Sequence, residues 1–309
     1  MGLMRTALLW GSQNQWMRHT LPQYRFVQRA VTRFMPGVEA EDALAAAGQL
    51  QRDNIATVLT KLGENITSES EAEMVAAHYR ELLDKIKDRN LDCHVSVKLT
   101  QLGLDLSKEF CLNNLLSIVR HAKQLGNFVS VDIEQSSYVD VTIDVFRRTR
   151  EQYENVGLCL QAYLYRTEKD LESLLSIPAA IRLVKGAYAE PSEIAYQRKE
   201  DVDRNYEVLT RKILGSAVRS KRPSAIGTHD RTLIRKTQES IAAMQLPKQA
   251  VEFQLLFGIQ REEQLRLARE GYKTRVLISY GSFWFPWYMR RLAERPANVW
   301  FVVKNMFVK

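Results

Sequence analysis

Along the chain, short runs of β-branched and apolar residues alternate with longer stretches in which apolar positions recur every three to four residues. The short runs are Ile55–Thr60, His94–Leu99, Phe128–Ile133, Gly157–Ala162, Ile181–Val184, Ser224–Gly227, Val251–Leu256 and Thr274–Ile278. Short apolar runs of this kind are what parallel strands covered on their faces require. The longer stretches, among them Glu71–Lys87, Leu112–Leu125, Val202–Leu214, Leu233–Met244 and Glu262–Glu270, carry the period of an amphipathic helix. Eight strands separated by such crossovers in 309 residues predict a single α/β domain closed as a (β/α)8 barrel. No glycine-rich fingerprint follows the first strand, which turns the reading away from an open dinucleotide-binding sheet. The barrel is expected over residues 51–309, behind a helical amino-terminal extension over residues 1–50 whose pattern is clearest from Pro22 to Leu50.

Composition narrows the class without naming a function. With 45% hydrophobic and 26% charged residues the chain is an ordinary globular one, and no apolar stretch approaches the ~20 residues of a membrane-spanning helix. Cys93, Cys111 and Cys159 are odd in number and dispersed in apolar surroundings, so buried thiols in a reducing compartment are expected, with no disulfide and no metal site. The net charge of +8 suits nucleic acid, an anionic surface or an acidic substrate, but no nucleic-acid module accompanies it, and no nucleic-acid partner is expected. Met1–Trp16 lacks the core and cleavage site of a signal peptide, and its match to the loose myristoylation pattern is read as coincidence. A cytoplasmic protein is expected. Met1–Trp16 and Val299–Lys309 mix apolar with basic residues, which also fits a peripheral contact at the inner face of the membrane.

In a barrel of this type the chemistry lies at the carboxyl ends of the strands. Polar residues gather there: Lys98 and Thr100 after strand two, Asp132 and Glu134 after strand three, Gln161 on strand four, Arg182 and Lys185 on and after strand five. Thr228, His229 and Asp230 follow strand six, and strand seven carries Glu252 and Gln254. Singly, each fits an ordinary ion pair or cap; their common position on successive strands points to a site. After strand eight, Trp287, Arg290, Arg291 and Glu294 share one face of a short helix closed by Pro296. The paired guanidinium groups suit a bidentate grip on a carboxylate, with Glu294 holding one of them.

Six collinear motifs carry a resemblance. They are Val97-Lys98-Leu99-Thr100-Gln101-Leu102-Gly103-Leu104-Asp105, Gln161-Ala162-Tyr163-Leu164-Tyr165-Arg166, Arg182-Leu183-Val184-Lys185-Gly186-Ala187-Tyr188, Thr228-His229-Asp230, Glu252-Phe253-Gln254 and Arg290-Arg291-Leu292-Ala293-Glu294-Arg295-Pro296. From about residue 35 to the end the chain resembles the proline dehydrogenase family, above all its monofunctional bacterial members. The resemblance implies a distorted (β/α)8 barrel that holds FAD, oxidises L-proline to 1-pyrroline-5-carboxylate, passes electrons to a quinone and hands its product to a pyrroline-5-carboxylate dehydrogenase. By the same resemblance Lys98, Arg290 and Arg291 match ligands of the substrate carboxylate, Asp132 the active-site aspartate, and Arg182 the arginine beside the flavin N5. Ile133, Gln161, Lys185, Gly186, Ala187, Thr228 and His229 match FAD contacts, and Tyr188 and Leu256 match the lining of the substrate pocket. With no phosphate-binding loop, the pyrophosphate is expected to meet Lys185 and scattered donors.

Three positions depart from the family pattern. Leu277 and Trp287 stand where the family usually has tyrosines bordering the substrate ring, and Ser279 stands where it usually has proline. Losing a phenol changes polarity and volume, the properties that separate substrates differing by a hydroxyl or a methylene. Tyr280 and Tyr288 are the nearby phenols expected to compensate in part. Hydroxyproline or another proline-like cyclic amino acid is therefore the alternative substrate. From other classes, a barrel lyase forming a Schiff base on Lys98 or Lys185 and a flavin-free binding protein stay open.

Overall fold

The computed structural model describes residues 31–177, 179–216, 223–285 and 287–289. Within them the chain runs α1 (Ala40–Gln51), β1 (Ala56–Lys61), α2 (Glu69–Asp88), β2 (Cys93–Lys98), α3 (Lys108–Gln124), β3 (Val129–Asp132), α4 (Val139–Gln152) and β4 (Val156–Gln161). It continues with α5 (Thr167–Leu175), β5 (Ile181–Val184), α6 (Lys199–Ser216), β6 (Ser224–Gly227), α7 (Arg231–Ala243), β7 (Val251–Leu256), α8 (Arg261–Arg269) and β8 (Lys273–Tyr280). All strand pairs are parallel, and β8 returns to β1 to close the barrel in sequence order. The predicted (β/α)8 architecture is borne out, strand for strand. Edges move by one residue or not at all, except that β8 extends two residues further, to Tyr280, where its backbone carbonyl accepts from the Leu62 N–H.

Local chemistry starts the helices. Ser68 and Ser107 cap α2 and α3 by accepting from the backbone of Glu71 and Phe110, and Asp230 caps α7 by accepting from Thr232. Of the predicted helical extension, α1 and a turn from residue 31 fall within the described residues; the rest, with Met1–Trp16 and the carboxyl-terminal segment, lies outside them. α1 buries Ala43, Leu44, Ala46, Ala47 and Leu50. Among the described residues no helix is long and apolar enough to cross a membrane.

Strand alternation divides each strand between two environments. Val95, Val97, Val129, Val131, Leu158, Leu160, Leu183, Ile226, Phe253, Leu255, Val276 and Ile278 face outward into one continuous core under the helices. Each contributes roughly 1.5–3 kcal/mol by leaving water. The residues between them point into the barrel, and there the sequence is polar: Ser96 and Lys98 on β2, Ser130 and Asp132 on β3, Gln161 on β4, Arg182 on β5, Glu252 and Gln254 on β7 and Arg275 on β8. All three cysteines are buried and free. Burial raises the thiols of Cys93 and Cys159 to about 12 and that of Cys111 further, which leaves them inert.

Candidate active site

The register Lys98↔Asp132 places a cation and a carboxylate side by side at the carboxyl ends of β2 and β3. Lys98 Nζ lies 3.4 Å from Asp132 Oδ2. Arg182, buried on β5, reaches across the barrel to pair its Nη2 with Asp132 Oδ1. Ser96 lies between them: its Oγ donates to Asp132 Oδ1 at 2.8 Å and accepts from Arg182 Nη2 at 3.0 Å. Burial pulls the Arg182 guanidinium down to about 10, against the opposing attraction of Glu252, and it stays charged at neutral pH. Four side chains from three strands thus form one ionic cluster, with Ser96 and Arg182 buried and Lys98 and Asp132 partly so, and Lys98, Asp132 and Arg182 are brought together as expected.

Around it the remaining predicted residues take definite places. Gln161 Nε2 donates to the backbone oxygens of Ile133 and Glu134 at 3.2 and 3.1 Å. Its Oε1 is buried without a hydrogen-bond partner among the described residues, as is Arg182 Nη1. Buried orphans of this kind call for an explanation, and a ligand bearing both a donor and an acceptor is one. At the end of β5, Gly186 adopts φ +117°, and a Cβ there would stand 2.2 Å from the ring of Tyr163. On β6, a Cβ on Gly227 would meet Val184 Cγ1 at 2.9 Å. Glycine is therefore required at both points by close packing, against the Tyr163 ring at one and the Val184 side chain at the other. His229 Nε2 accepts from the backbone N–H of Leu256 at 2.8 Å, which ties the loop after β6 to the end of β7.

Lys185 does not stand alone. Its Nζ lies 2.5 Å from Asp203 and 3.0 Å from Asp230. Burial opposes the charge on Asp230, but Lys185 and Lys199 override it and hold that carboxyl down to about 2. The loop after β5 is tied across the mouth on both sides. Tyr188 Oη contacts Glu64 of the loop after β1 at 3.4 Å, and Glu190 accepts from Ser136 N and Oγ at 2.7 and 2.6 Å. Ala187 and Tyr188 lie half-buried on this loop.

Three expectations change. Glu252 belongs to the lower half of the barrel: it is the second residue of β7 and pairs with Arg275 at 2.8 Å, not with the mouth. Tyr280 cannot replace a phenol at Leu277, because three steps along a strand reverse the face; it points outward and meets His78 Nε2 at 2.7 Å. Tyr288 and Trp287 are packed with Phe34, Met35, Leu62, Trp284 and Phe285 in a second apolar cluster, and the Tyr288 hydroxyl is buried without a hydrogen-bond partner among the described residues. Leu277 and Leu256 pair in register and, by alternation, face the interior near the mouth. Arg290, Arg291 and Glu294 lie outside the described residues. Ser96 and Glu64 were not singled out beforehand. Ser96 was legible, since it sits two residues before Lys98 on the same face; Glu64 is a loop residue whose partner is more than a hundred positions away.

Comparisons with known proteins bear on the family and the fold. Residues 43–304 match the family model for proline dehydrogenase. The chain is 36% identical over 307 residues to "Proline dehydrogenase 1" of Bacillus subtilis strain 168, covering 99% of this chain and 100% of that one. It is 37% identical over 279 residues to "Proline dehydrogenase" of Deinococcus radiodurans, covering 89% of each. Among solved structures, proline utilization A from Bdellovibrio bacteriovorus superposes with a TM-score of 0.82 at 24% identity, covering 94% of this chain. The chain spans 36% of that longer protein's length, so the likeness concerns the barrel fold. The closed barrel, the family model and full-length relatives lead to one conclusion: the chain belongs to the proline dehydrogenase family.

Proposed function

We propose that the carboxyl-terminal mouth of the barrel binds FAD beside L-proline and that the enzyme oxidises proline to 1-pyrroline-5-carboxylate, with a quinone as the final acceptor and a pyrroline-5-carboxylate dehydrogenase consuming the product. The observation that carries this reading is the Lys98–Asp132–Arg182 cluster, with a donor on Arg182 and an acceptor on Gln161 beside it that have no partner among the described residues. The ring edge of a flavin offers acceptors and a donor to match them. Gln161, Ile133, Gly186, Ala187, Thr228 and His229 would hold it, with Lys185 reaching it only as part of the network with Asp203 and Asp230. When bound, the flavin supplies an acceptor for the hydride on the substrate carbon next to nitrogen.

The chain's own residues do the rest. Lys98, with Arg290 and Arg291, grips the substrate carboxylate and so fixes which carbon faces the acceptor, an orientational contribution. Asp132 holds Lys98 through one oxygen and Arg182 through the other. Arg182 sets a permanent positive charge where electrons arrive, in a site too buried for water to screen it. Tyr188 and Leu256 wall the substrate ring, and the tied loop after β5 excludes solvent from above.

The test is anaerobic mixing of the purified, oxidised protein with L-proline, hydroxyproline and pipecolate in turn while the flavin absorbance is followed. Bleaching by proline supports the reading, and a colourless protein that proline does not alter overturns it. The inward-facing Leu277 favours a second reading, in which a different proline-like ring is the substrate; bleaching by one of the other two compounds alone establishes it. Delivery to a membrane quinone further calls for peripheral contact through the terminal segments. Flotation with anionic liposomes should retain the full chain and lose a form truncated at both ends.

A further inference from the structure

We infer that Ser96 is a positioning residue that divides the two oxygens of Asp132 between Arg182 and Lys98, and through Lys98 sets the grip on the substrate carboxylate. The inference rests on the function proposed above and deepens it. Ser96 is completely buried in β2, between Val95 and Val97, at a depth where a hydroxyl costs stability unless every bond it makes is satisfied. Its Oγ has three neighbours: Asp132 Oδ1 at 2.8 Å, Arg182 Nη2 at 3.0 Å and the Ser130 carbonyl at 3.3 Å.

A serine hydroxyl has one hydrogen to give. The shortest contact and the charged acceptor are both Asp132, so the hydrogen goes there, leaving a lone pair to receive Arg182. Arg182 also meets Oδ1, so both partners from below engage the same oxygen. Oδ2 is thereby the oxygen turned toward Lys98. The terminal torsion of an aspartate is broad and nearly two-fold, and nothing in the side chain itself chooses which oxygen faces which cation. The register Ser96↔Ser130 and Lys98↔Asp132 puts Ser96 one layer beneath the Lys98–Asp132 pair on the same face, where it can make that choice.

The test is a double-mutant cycle on the flavin-loaded enzyme, reading calorimetric binding of tetrahydrofuran-2-carboxylate, an inert ring with oxygen in place of nitrogen. Ser96→Ala should weaken binding about tenfold, the size of one charge-assisted hydrogen bond. KM for proline should rise by the same factor. In a Lys98→Met background, Ser96→Ala should cost nothing further, because the lysine it positions is gone. Equal affinity in Ser96→Ala and the parent, or an undiminished loss without Lys98, overturns the inference alone. Failure of the parent to bind the analogue, together with no bleaching by proline, overturns the proposed function and the inference with it. If Ser96→Ala does not accumulate as folded protein, Ser96→Cys keeps the volume, weakens the bond and enters the same cycle.

Discussion

The interior of the barrel holds two arginines that share the field of Glu252 but differ in how completely they are paired. Near the amino-terminal mouth, Arg275 is fully engaged: it donates to Glu252 at 2.8 Å, to the Thr57 carbonyl at 2.7 Å and to Asp92 at 3.2 Å. Burial works against its charge, but Glu252 and Asp92 more than compensate and raise it above the ordinary arginine value. Arg182, whose guanidinium reaches toward the carboxyl-terminal mouth, is more deeply buried, keeps one nitrogen without a hydrogen-bond partner among the described residues and is pulled down to about 10. The lower cluster satisfies its own charges at the floor of the barrel. Among the described residues the upper one leaves a donor without a partner, which is what a site awaiting a ligand requires.

The sharpest way to break this contrast is to remove each arginine. Arg182→Met should lower kcat/KM about 1,000-fold, roughly 4 kcal/mol of lost electrostatic stabilisation, with little change in urea unfolding. Arg275→Met should do the reverse: it strands the Glu252 carboxylate and costs about 3–5 kcal/mol of unfolding free energy, while the folded fraction keeps its turnover within about threefold. If both variants lose both properties, the division between site and floor is wrong. Adding Glu252→Gln to Arg275→Met should recover part of the stability, since the stranded charge is then gone.

A smaller effect sharpens the upper half. Lys98→Met should raise KM for proline about 10- to 100-fold, roughly 1.4–2.8 kcal/mol, measured by steady-state kinetics. Gly186→Ala should cost about 1–2 kcal/mol, because any Cβ at that positive φ is strained and runs into Tyr163; flavin retention on dialysis should fall with it. The smallest effect lies outside the barrel wall. Burial lowers His78, the partner of Tyr280, from 6.5 to about 4. The unfolded chain then binds the proton more readily, so this stability is complete above about pH 6.5 and is lost as the pH falls toward 4. The melting temperature of His78→Gln should therefore fall less steeply across that window than the parent's.

Much of this was legible in one dimension because its causes are local or periodic. Runs such as Ile181–Val184 and Ser224–Gly227 are strands at the predicted bounds, since a short apolar segment between amphipathic stretches has few other ways to bury itself. Lys98, Asp132 and Arg182 were legible as a cluster of candidate site residues because strand ends in a barrel converge. Glu252 was misassigned for the same reason: the pattern identifies the strand, and only the register with β8 shows that the residue lies near its lower end. Alternation turns Tyr280 away from Leu277, and the carboxylate partners of Lys185 are not legible in one dimension because Asp203 and Asp230 come from the start of α6 and the end of the loop after β6.

The sequence by itself determined the number, order and kind of the elements, the polar lining of the barrel and the family, because hydrophobic period, turn chemistry and motif order are properties of neighbouring residues. The tertiary structure decided which charges find partners. Whether a buried arginine becomes a floor or a site depends on groups that strand register and loop closure bring within about 3 Å, a distance along which Coulomb and hydrogen-bond energies change steeply and over which sequence separation says nothing.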